Sequence, residues 1–273
     1  MRDALEDLEL RLLLEGIHQR YGYDFREYAR SSIRRRVWRR ISEEQLGTVS
    51  GLLERVLHDP ACMDRLLGDL SVNVTTMFRD PSFFRALRTA VVPVLRTYPF
   101  VRVWNPGCSS GEETFSLAIA LREAGLEGRV RIYATDINRD VVAAARAGCF
   151  PLERMREFTA NYVAGGGTRP FSDYYEISGD TARFDPSLVD SLVFAQHNLV
   201  SDGEFNEFHL VVCRNVLIYF DRSLQDKVLD LLQRSLVRFG FLALGSKESL
   251  RFSAHAGSFD EVDGREKIYR RTA

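Results

Sequence analysis

The sequence predicts an α/β protein: a mainly parallel, doubly wound sheet, preceded by a helical domain and interrupted by a small β insertion. Three observations carry this prediction. Apolar residues recur at helical spacing through residues 4–70, and strand-like and helix-like segments alternate from about residue 100 onward. Residues 162–184 break that rhythm with Gly165-Gly166-Gly167, two tyrosines and Ile177-Ser178-Gly179-Asp180, the composition of short strands and turns.

In the helical part, Leu5, Leu8, Leu12 and Leu13 share a spacing, as do Leu52, Leu53, Val56 and Leu57, and then Leu66, Leu67 and Leu70; Gly22 and Gly47 punctuate them. Between Arg20 and Arg40 eight arginines stand against Asp24 and Glu27, although the whole chain carries a net charge of only −1. Ile33, Val37, Trp38 and Ile41 lie at helical spacing among them, so the arginines flank an apolar stripe. A solvated basic face, a nucleic-acid footprint and a docking face for an acidic partner all fit that pattern. The footprint lacks any recognised DNA or RNA module beside it.

Asn73-Val-Thr75-Thr76-Met77-Phe78-Arg79-Asp80-Pro81 follows, with side-chain hydrogen-bonders and a cation enough to line one wall of a site. Asp80 and Pro81 also read simply as the cap and first residue of a helix. The strand 101–105 then runs into Gly107-Cys108-Ser109-Ser110-Gly111-Glu112-Glu113, a turn that opens a helix. A dinucleotide loop would be Gly-x-Gly-x-x-Gly aimed at a pyrophosphate. Here two acids replace that pattern and favour a cationic or zwitterionic ligand, such as a sulfonium with an amino-acid tail. An ordinary βα turn, with both acids complementing the helix dipole, fits this loop alone equally well.

The strand 130–135 ends in Asp136-Ile137-Asn138, where a carboxylate can accept both protons of a ribose diol. Asp136 or Asn138 can also cap the next helix. Strand 192–196 ends in His197-Asn198-Leu199, strand 209–213 in Arg214-Asn215 with Tyr219 shortly after, and strands at 240–245 and across Asp263-Gly264 complete the sheet. Four successive strands thus end in polar groups on one edge, which defines a site.

A chain of 273 residues with 45% hydrophobic content can bury a sound core. Cysteines 62, 108, 149 and 213 have no metal or redox spacing, and the chain shows no N-terminal signal or long apolar span. A soluble, cytoplasmic protein is expected. The five histidines are scattered, with no His, Cys or Ser constellation for nucleophilic or general-base catalysis.

The segments Asn73–Arg79, Gly107–Glu113, Ala134–Ile137, His197–Leu199 and Cys213-Arg214-Asn215-Val216-Leu217-Ile218-Tyr219-Phe220-Asp221 resemble the CheR chemotaxis receptor methyltransferases, in order and through nearly the whole chain. The resemblance implies a Rossmann-like methyltransferase that uses S-adenosylmethionine (AdoMet), giving S-adenosylhomocysteine, to methylate glutamate side chains of chemoreceptors. It implies an N-terminal helical domain at 1–75, a linker and connecting helix at 76–99, and a methyltransferase domain at 100–273 with a β-subdomain inserted at about 160–188. Asn73, Thr75, Arg79, Glu113, Asp136, Asn198, Leu199, Arg214 and Asn215 are then expected to line the cofactor pocket. Arg79 and Tyr219 are expected at the transfer centre, and no metal is expected. Arg34, Arg35, Arg36, Arg39 and Arg40 are the expected contacts to acidic methylation helices, and a receptor C-terminal peptide at the β-subdomain is a further partner the resemblance raises. No nucleic-acid partner, no membrane insertion and a monomer complete these expectations. Thr114-Phe115 in place of the family's Pro-Tyr, Met77 in place of Phe, and Asn105-Pro106 in place of small residues are departures. A methyltransferase of another substrate class and a non-catalytic AdoMet-binding regulatory or scaffold module are the competing readings.

Overall fold

The computed structural model describes residues 2–71 and 75–272. They form two compact units: Met1–Val72 with Ile218–Lys227, and Asn73–Leu217 with Val228–Ala273.

The first unit is built on helices α1 (Arg2–Tyr21), α2 (Arg30–Glu43), α3 (Val49–His58) and α4 (Pro60–Leu70). Local signals set their starts. The Thr48 hydroxyl accepts from the Gly51 N–H, and the Asp59 carboxylate accepts from the Ala61 N–H ahead of a proline at the first helical position. Leu13, Ile17, Ile33, Val37, Leu52, Val56 and Leu66 close the core between them. Residues 218–221 complete the unit: Ala29 N–H donates to the Tyr219 carbonyl, Asp221 N–H to the Glu27 carbonyl, and the Tyr28 and Phe220 rings meet edge to face at 4.9 Å.

The arginines of α2 divide in a way the charge count did not predict. Arg36 and Arg40 are buried. Arg36 donates to the Leu70 carbonyl and lies over the Tyr219 ring, 4.9 Å from its centroid. Arg40 is held by Asp69 at 2.6 Å and Glu44 at 3.4 Å. These two are therefore corrected from docking contacts to internal ties. Their side chains share the helix face of Ile33, Val37 and Ile41, and their long stems reach polar partners across that apolar stripe. Arg34, Arg35 and Arg39 are exposed.

In the second unit, α5 (Pro81–Ala86) continues through a wider turn at Leu87–Val91 into α6 (Val92–Leu95). There follow β1 (Val101–Pro106), α7 (Glu112–Leu121), β2 (Val130–Asp136), α8 (Arg139–Ala147), β3 (Cys149–Pro151), α9 (Met155–Ala164), β4 (Tyr175–Ser178), β5 (Thr181–Phe184), α10 (Pro186–Val189), β6 (Leu192–Gln196), β7 (Phe208–Cys213), α11 (Arg222–Arg234), β8 (Leu236–Leu244), β9 (Phe259–Asp263) and β10 (Ile268–Arg271). The seven-stranded sheet runs β6-β2-β1-β7-β8-β10-β9, parallel through β8 and antiparallel at the last two strands. Strand order reverses between β1 and β7, and the crevice outside the carboxyl ends at such a switch point is where open α/β sheets bind ligands.

The insertion is a three-stranded antiparallel sheet, β3-β5-β4. Its first strand, Cys149–Pro151, lies upstream of the expected start near 160, since three residues are too few to show an alternation. One carboxylate ties the insertion to the main sheet. Glu123, its side chain 1% exposed, accepts from Tyr162 Oη, Tyr174 Oη at 3.0 Å and both the N–H and hydroxyl of Thr168, and pairs with Arg88. Burial pushes this carboxyl up, but the hydrogen bonds from Tyr162, Thr168 and Arg88 outweigh it and hold it below the usual range.

A depressed native pKa contributes stability that is present above the unfolded value and is lost as pH falls through the native one. Glu123→Gln is expected to lower unfolding free energy by about 2–4 kcal/mol at neutral pH. In denaturant titrations the gap to the parent should stay constant down to about pH 4.5 and shrink below it; a gap independent of pH down to 3 would refute the charge-based account.

Candidate functional site

The site grows from the carboxyl ends of β1, β2 and β7. Asn105, fully buried in β1, donates from its amide to the Val212 carbonyl and to Glu113 Oε2, both at 3.0 Å, and accepts from the Thr114 hydroxyl at 2.7 Å. A polar side chain inside an apolar strand must be satisfied this way. It fixes the carboxylate of Glu113 at the start of α7.

The other oxygen of Glu113 takes Arg214, at the end of β7, at 2.8 Å. The Arg214 side chain is 2% exposed; it also pairs with Asp80 at 2.7 Å, donates to the Arg79 carbonyl at 3.3 Å, and lies over the Phe83 ring at 4.1 Å from the centroid. Asp80 therefore departs from its expected role as a cap. Pro81 does open α5, but the Asp80 carboxylate makes no capping bond and neutralises Arg214 instead.

Asp136, at the tip of β2, accepts from the N–H of Ser109 in the glycine loop and from Asn138 N–H, each at 3.0 Å. Burial raises its carboxyl above the usual range, against the pull of the Asn138, Ser109 and Ile137 N–H groups. Asn138 caps α8 through a bond from the Asp140 N–H, which leaves Asp136 to the loop. With three main-chain N–H groups on its two oxygens, the Asp136 carboxylate keeps room for one further donor.

The two loop glycines have a packing reason. A Cβ on Gly107 would lie 2.5 Å from Val216, and one on Gly111 3.0 Å from Ala145, both at positive φ. At both positions the space a side chain would need is filled by protein.

The remaining expected residues fall as follows. Asn73 lies outside the described residues. The Thr75 carbonyl accepts from Arg154 at 2.7 Å, and Arg79 is half-buried between Phe78 and Asp80, both at positive φ. Asn198 and Leu199 are half-buried just past the end of β6, whose Gln196 is in register with Asp136. The main-chain N–H and carbonyl of Asn198 are both engaged by Asp202. Asn215 has φ +61, with its N–H donated to Glu248 at 3.0 Å. Tyr219 belongs to the helical unit, under Arg36.

Three participants were not among the expected site residues. Glu112 is buried and takes Arg154 at 2.8 Å and the Ser110 hydroxyl at 2.6 Å, so it is more than a helix-start residue. Arg154 comes from the turn after β3, and nothing in its local sequence marks it. Ser116 accepts the Phe78 N–H at 2.8 Å and holds that bulky residue in the left-handed region. Four of the seven described non-glycine residues at positive φ, Phe78, Asp80, Ser109 and Asn215, lie in this cluster. Strain concentrated in one place marks a functional site.

The acids Asp80, Glu112, Glu113, Asp136 and Glu248 outnumber the bases Arg79, Arg154 and Arg214. The edge is thus complementary to a positively charged ligand with hydroxyl donors.

Residues 73–268 match the family model described as CheR methyltransferase, SAM binding domain, and residues 8–71 match CheR methyltransferase, all-alpha domain. A protein of Pseudomonas putida that carries a methyltransferase name, Cher3, is 48% identical over 97% of both chains. The chemotaxis protein methyltransferase of Salmonella typhimurium is 28% identical over 96% of this chain and 87% of its own. That of Listeria monocytogenes is 29% identical over 86% of this chain and 88% of its own.

Arg154→Ala leaves Glu112 buried beside one hydroxyl. With the partly exposed arginine discounted for solvent screening, the expected loss is about 1–3 kcal/mol. Urea unfolding of Arg154→Ala, Glu112→Gln and the double variant checks this; losses that simply add would rule out the pair.

Proposed function

The chain belongs to the CheR methyltransferase family, and on that premise we propose that its methyl acceptor is a glutamate side chain on the cytoplasmic methylation helices of a chemoreceptor. It is an AdoMet-dependent methyltransferase. The observation that carries the reading is the sheet edge itself: a cluster in which acids outnumber bases, assembled at the switch point, in a sequence with no general-base constellation.

The residues present fit the cofactor. AdoMet has one net positive charge at neutral pH, the sum of a sulfonium, an ammonium and a carboxylate. Asp136 would accept a ribose hydroxyl. Glu113, its side chain 13% exposed, would take the ammonium beside Arg214 and Asn215, with Thr75 and Leu199 framing the remainder. When bound, AdoMet supplies an electrophilic methyl group. A glutamate acceptor is already ionised at neutral pH, with a reference pKa of about 4.3, and needs no proton removed. The protein's task is then alignment and charge placement, which can supply on the order of 7–11 kcal/mol in favourable cases. Arg79 would orient the incoming carboxylate as its charge partner, and Tyr219 as a hydroxyl donor.

Docking on the acidic helix falls to the exposed arginines of α2, Arg34, Arg35 and Arg39. Arg34 and Arg39 pair with Glu6 and Glu43 on the surface; such pairs are weak enough to exchange for a partner's carboxylates. The three-stranded insertion has β4 as an edge strand, with Ile177 exposed. An extended receptor C-terminal peptide would add to such an edge by main-chain hydrogen bonds.

Incubation with methyl-labelled AdoMet and receptor cytoplasmic fragments should yield label released as methanol by base. Base-stable label would indicate another substrate class, and AdoMet binding without transfer a regulatory module. Arg79→Ala should lower turnover about a hundredfold, equivalent to about 2.7 kcal/mol, while cofactor affinity by calorimetry changes less than about threefold; equal losses in both would reduce Arg79 to a cofactor contact. Reversing Arg34, Arg35 and Arg39 to glutamate should raise the receptor KM about tenfold or more and steepen no cofactor defect. Unchanged receptor methylation would reject α2 as the docking face.

A further inference from the structure

The segment between β8 and β9 touches the cofactor cluster through Glu248, and it leaves the same sheet edge. Leu244, the last residue of β8, is in parallel register with Cys213, the last of β7, so the residues after each strand emerge side by side. One carboxylate oxygen joins them. Glu248 Oε2 accepts the Gly245 N–H at 2.6 Å and the Asn215 N–H at 3.0 Å, and the residue is 5% exposed.

Beyond that anchor the loop is built rather than slack. Leu250 is 2% exposed and roots it in the core. The Ser253 N–H and hydroxyl both donate to the Leu250 carbonyl at 2.9 Å, the Arg251 N–H donates to the Ser249 hydroxyl at 3.1 Å, and His255 Nδ1 meets Gln233 Oε1 at 2.8 Å.

The largest exposed side chains of this frame are Lys247, Arg251 and Phe252. Phe252 is 76% exposed, more than any other large hydrophobic side chain described. The Arg251 guanidinium stands 5.9 Å from the centre of its ring. Among the described residues, neither Lys247 nor Arg251 has a carboxylate within ion-pair distance, whereas most arginines of α2 do. An exposed aromatic ring beside one cation lacking a carboxylate partner, with a second such cation in the same loop, is the composition of an interface hot spot, and its charge selects an acidic partner.

We propose that the loop 246–255 is a second substrate-docking surface, which binds acidic and apolar side chains of the methyl-accepting helix on either side of the acceptor glutamate. The proposal rests on the functional reading above and adds a contact from the sheet domain itself. Side chains one helical turn apart are separated by about 5.4 Å along the axis. A helix with acids at such spacing can offer one carboxylate to the edge of the sheet and others to Lys247 and Arg251, while Phe252 covers apolar surface between them.

Lys247→Glu, Arg251→Glu and Phe252→Ala test it, since all three side chains are exposed and outside the cofactor cluster. Methyl transfer is measured against receptor-fragment concentration, with S-adenosylhomocysteine affinity by calorimetry and thermal unfolding measured alongside. Each charge reversal should raise the receptor KM about tenfold, a change of about 1.4 kcal/mol, and Phe252→Ala about threefold or more. Turnover at saturation, cofactor affinity and melting temperature should stay as in the parent, and added salt should narrow the gap between parent and charge variants. Unchanged KM in all three variants, or a fall in turnover without a change in KM, would overturn the proposal while the functional reading stands. A parent enzyme that transfers no methyl to any receptor fragment would overturn both.

Discussion

Most of the site depends on the burial of one guanidinium. Arg214 follows the central strand β7 with its side chain 2% exposed, and a cation so placed is tolerable only with its charge met. Two carboxylates answer it from distant parts of the chain, Asp80 and Glu113, and the Arg79 carbonyl and the Phe83 ring complete the shell. Neutralising Arg214 therefore brings together the segment before α5, the first turn of α7 and the end of β7. Asn105 then holds Glu113 from inside β1. The polar groups of the edge are fixed by each other rather than by any one local motif.

The same logic recurs around it with different partners. Glu112 requires Arg154, which draws the turn after β3 to the glycine loop and to the Thr75 carbonyl. Glu123 draws the insertion and Arg88 together, and Glu248 joins the ends of β7 and β8. Four buried or nearly buried carboxylates thus act as cross-links between elements far apart in sequence. The residues with left-handed backbone are tied in the same way, Phe78 to Ser116, Asp80 to Arg214, Ser109 to Asp136 and Asn215 to Glu248. A site that depends on alignment rather than on an acid or base gains most from such rigidity.

Charge in the helical unit shows why a count along the chain is an incomplete guide. Five arginines between 34 and 40 read as one basic face, yet Arg36 and Arg40 turn inward to Leu70, Tyr219 and Asp69. Helical geometry puts them beside Ile33 and Val37, and long aliphatic stems let a charged residue occupy an apolar stripe when a carboxylate or carbonyl waits at its far end. The basic loop after β8 is the converse case. Lys247 and Arg251 are unremarkable in sequence and become informative only when their exposure and lack of counter-charge are seen.

The sequence by itself determined the order of elements, the parallel sheet and the polar endings of its strands, because apolar periodicity and turn residues are local properties. It also determined the family, through long strings such as Cys213–Asp221, and with it the cofactor. Tertiary structure alone decided which acid meets which base. Asp80 was legible as a cap and is an ion-pair partner, Glu112 as a helix start and is a buried charge, and the loop glycines as turn residues and are also room for Val216 and Ala145. The physical reason is common to all three: a hydrogen-bonding or steric partner contributed from 30 to 135 positions away leaves no trace in the neighbouring residues. Only the folded sheet, by placing the ends of its strands side by side, chooses among the roles that each residue's local chemistry permits.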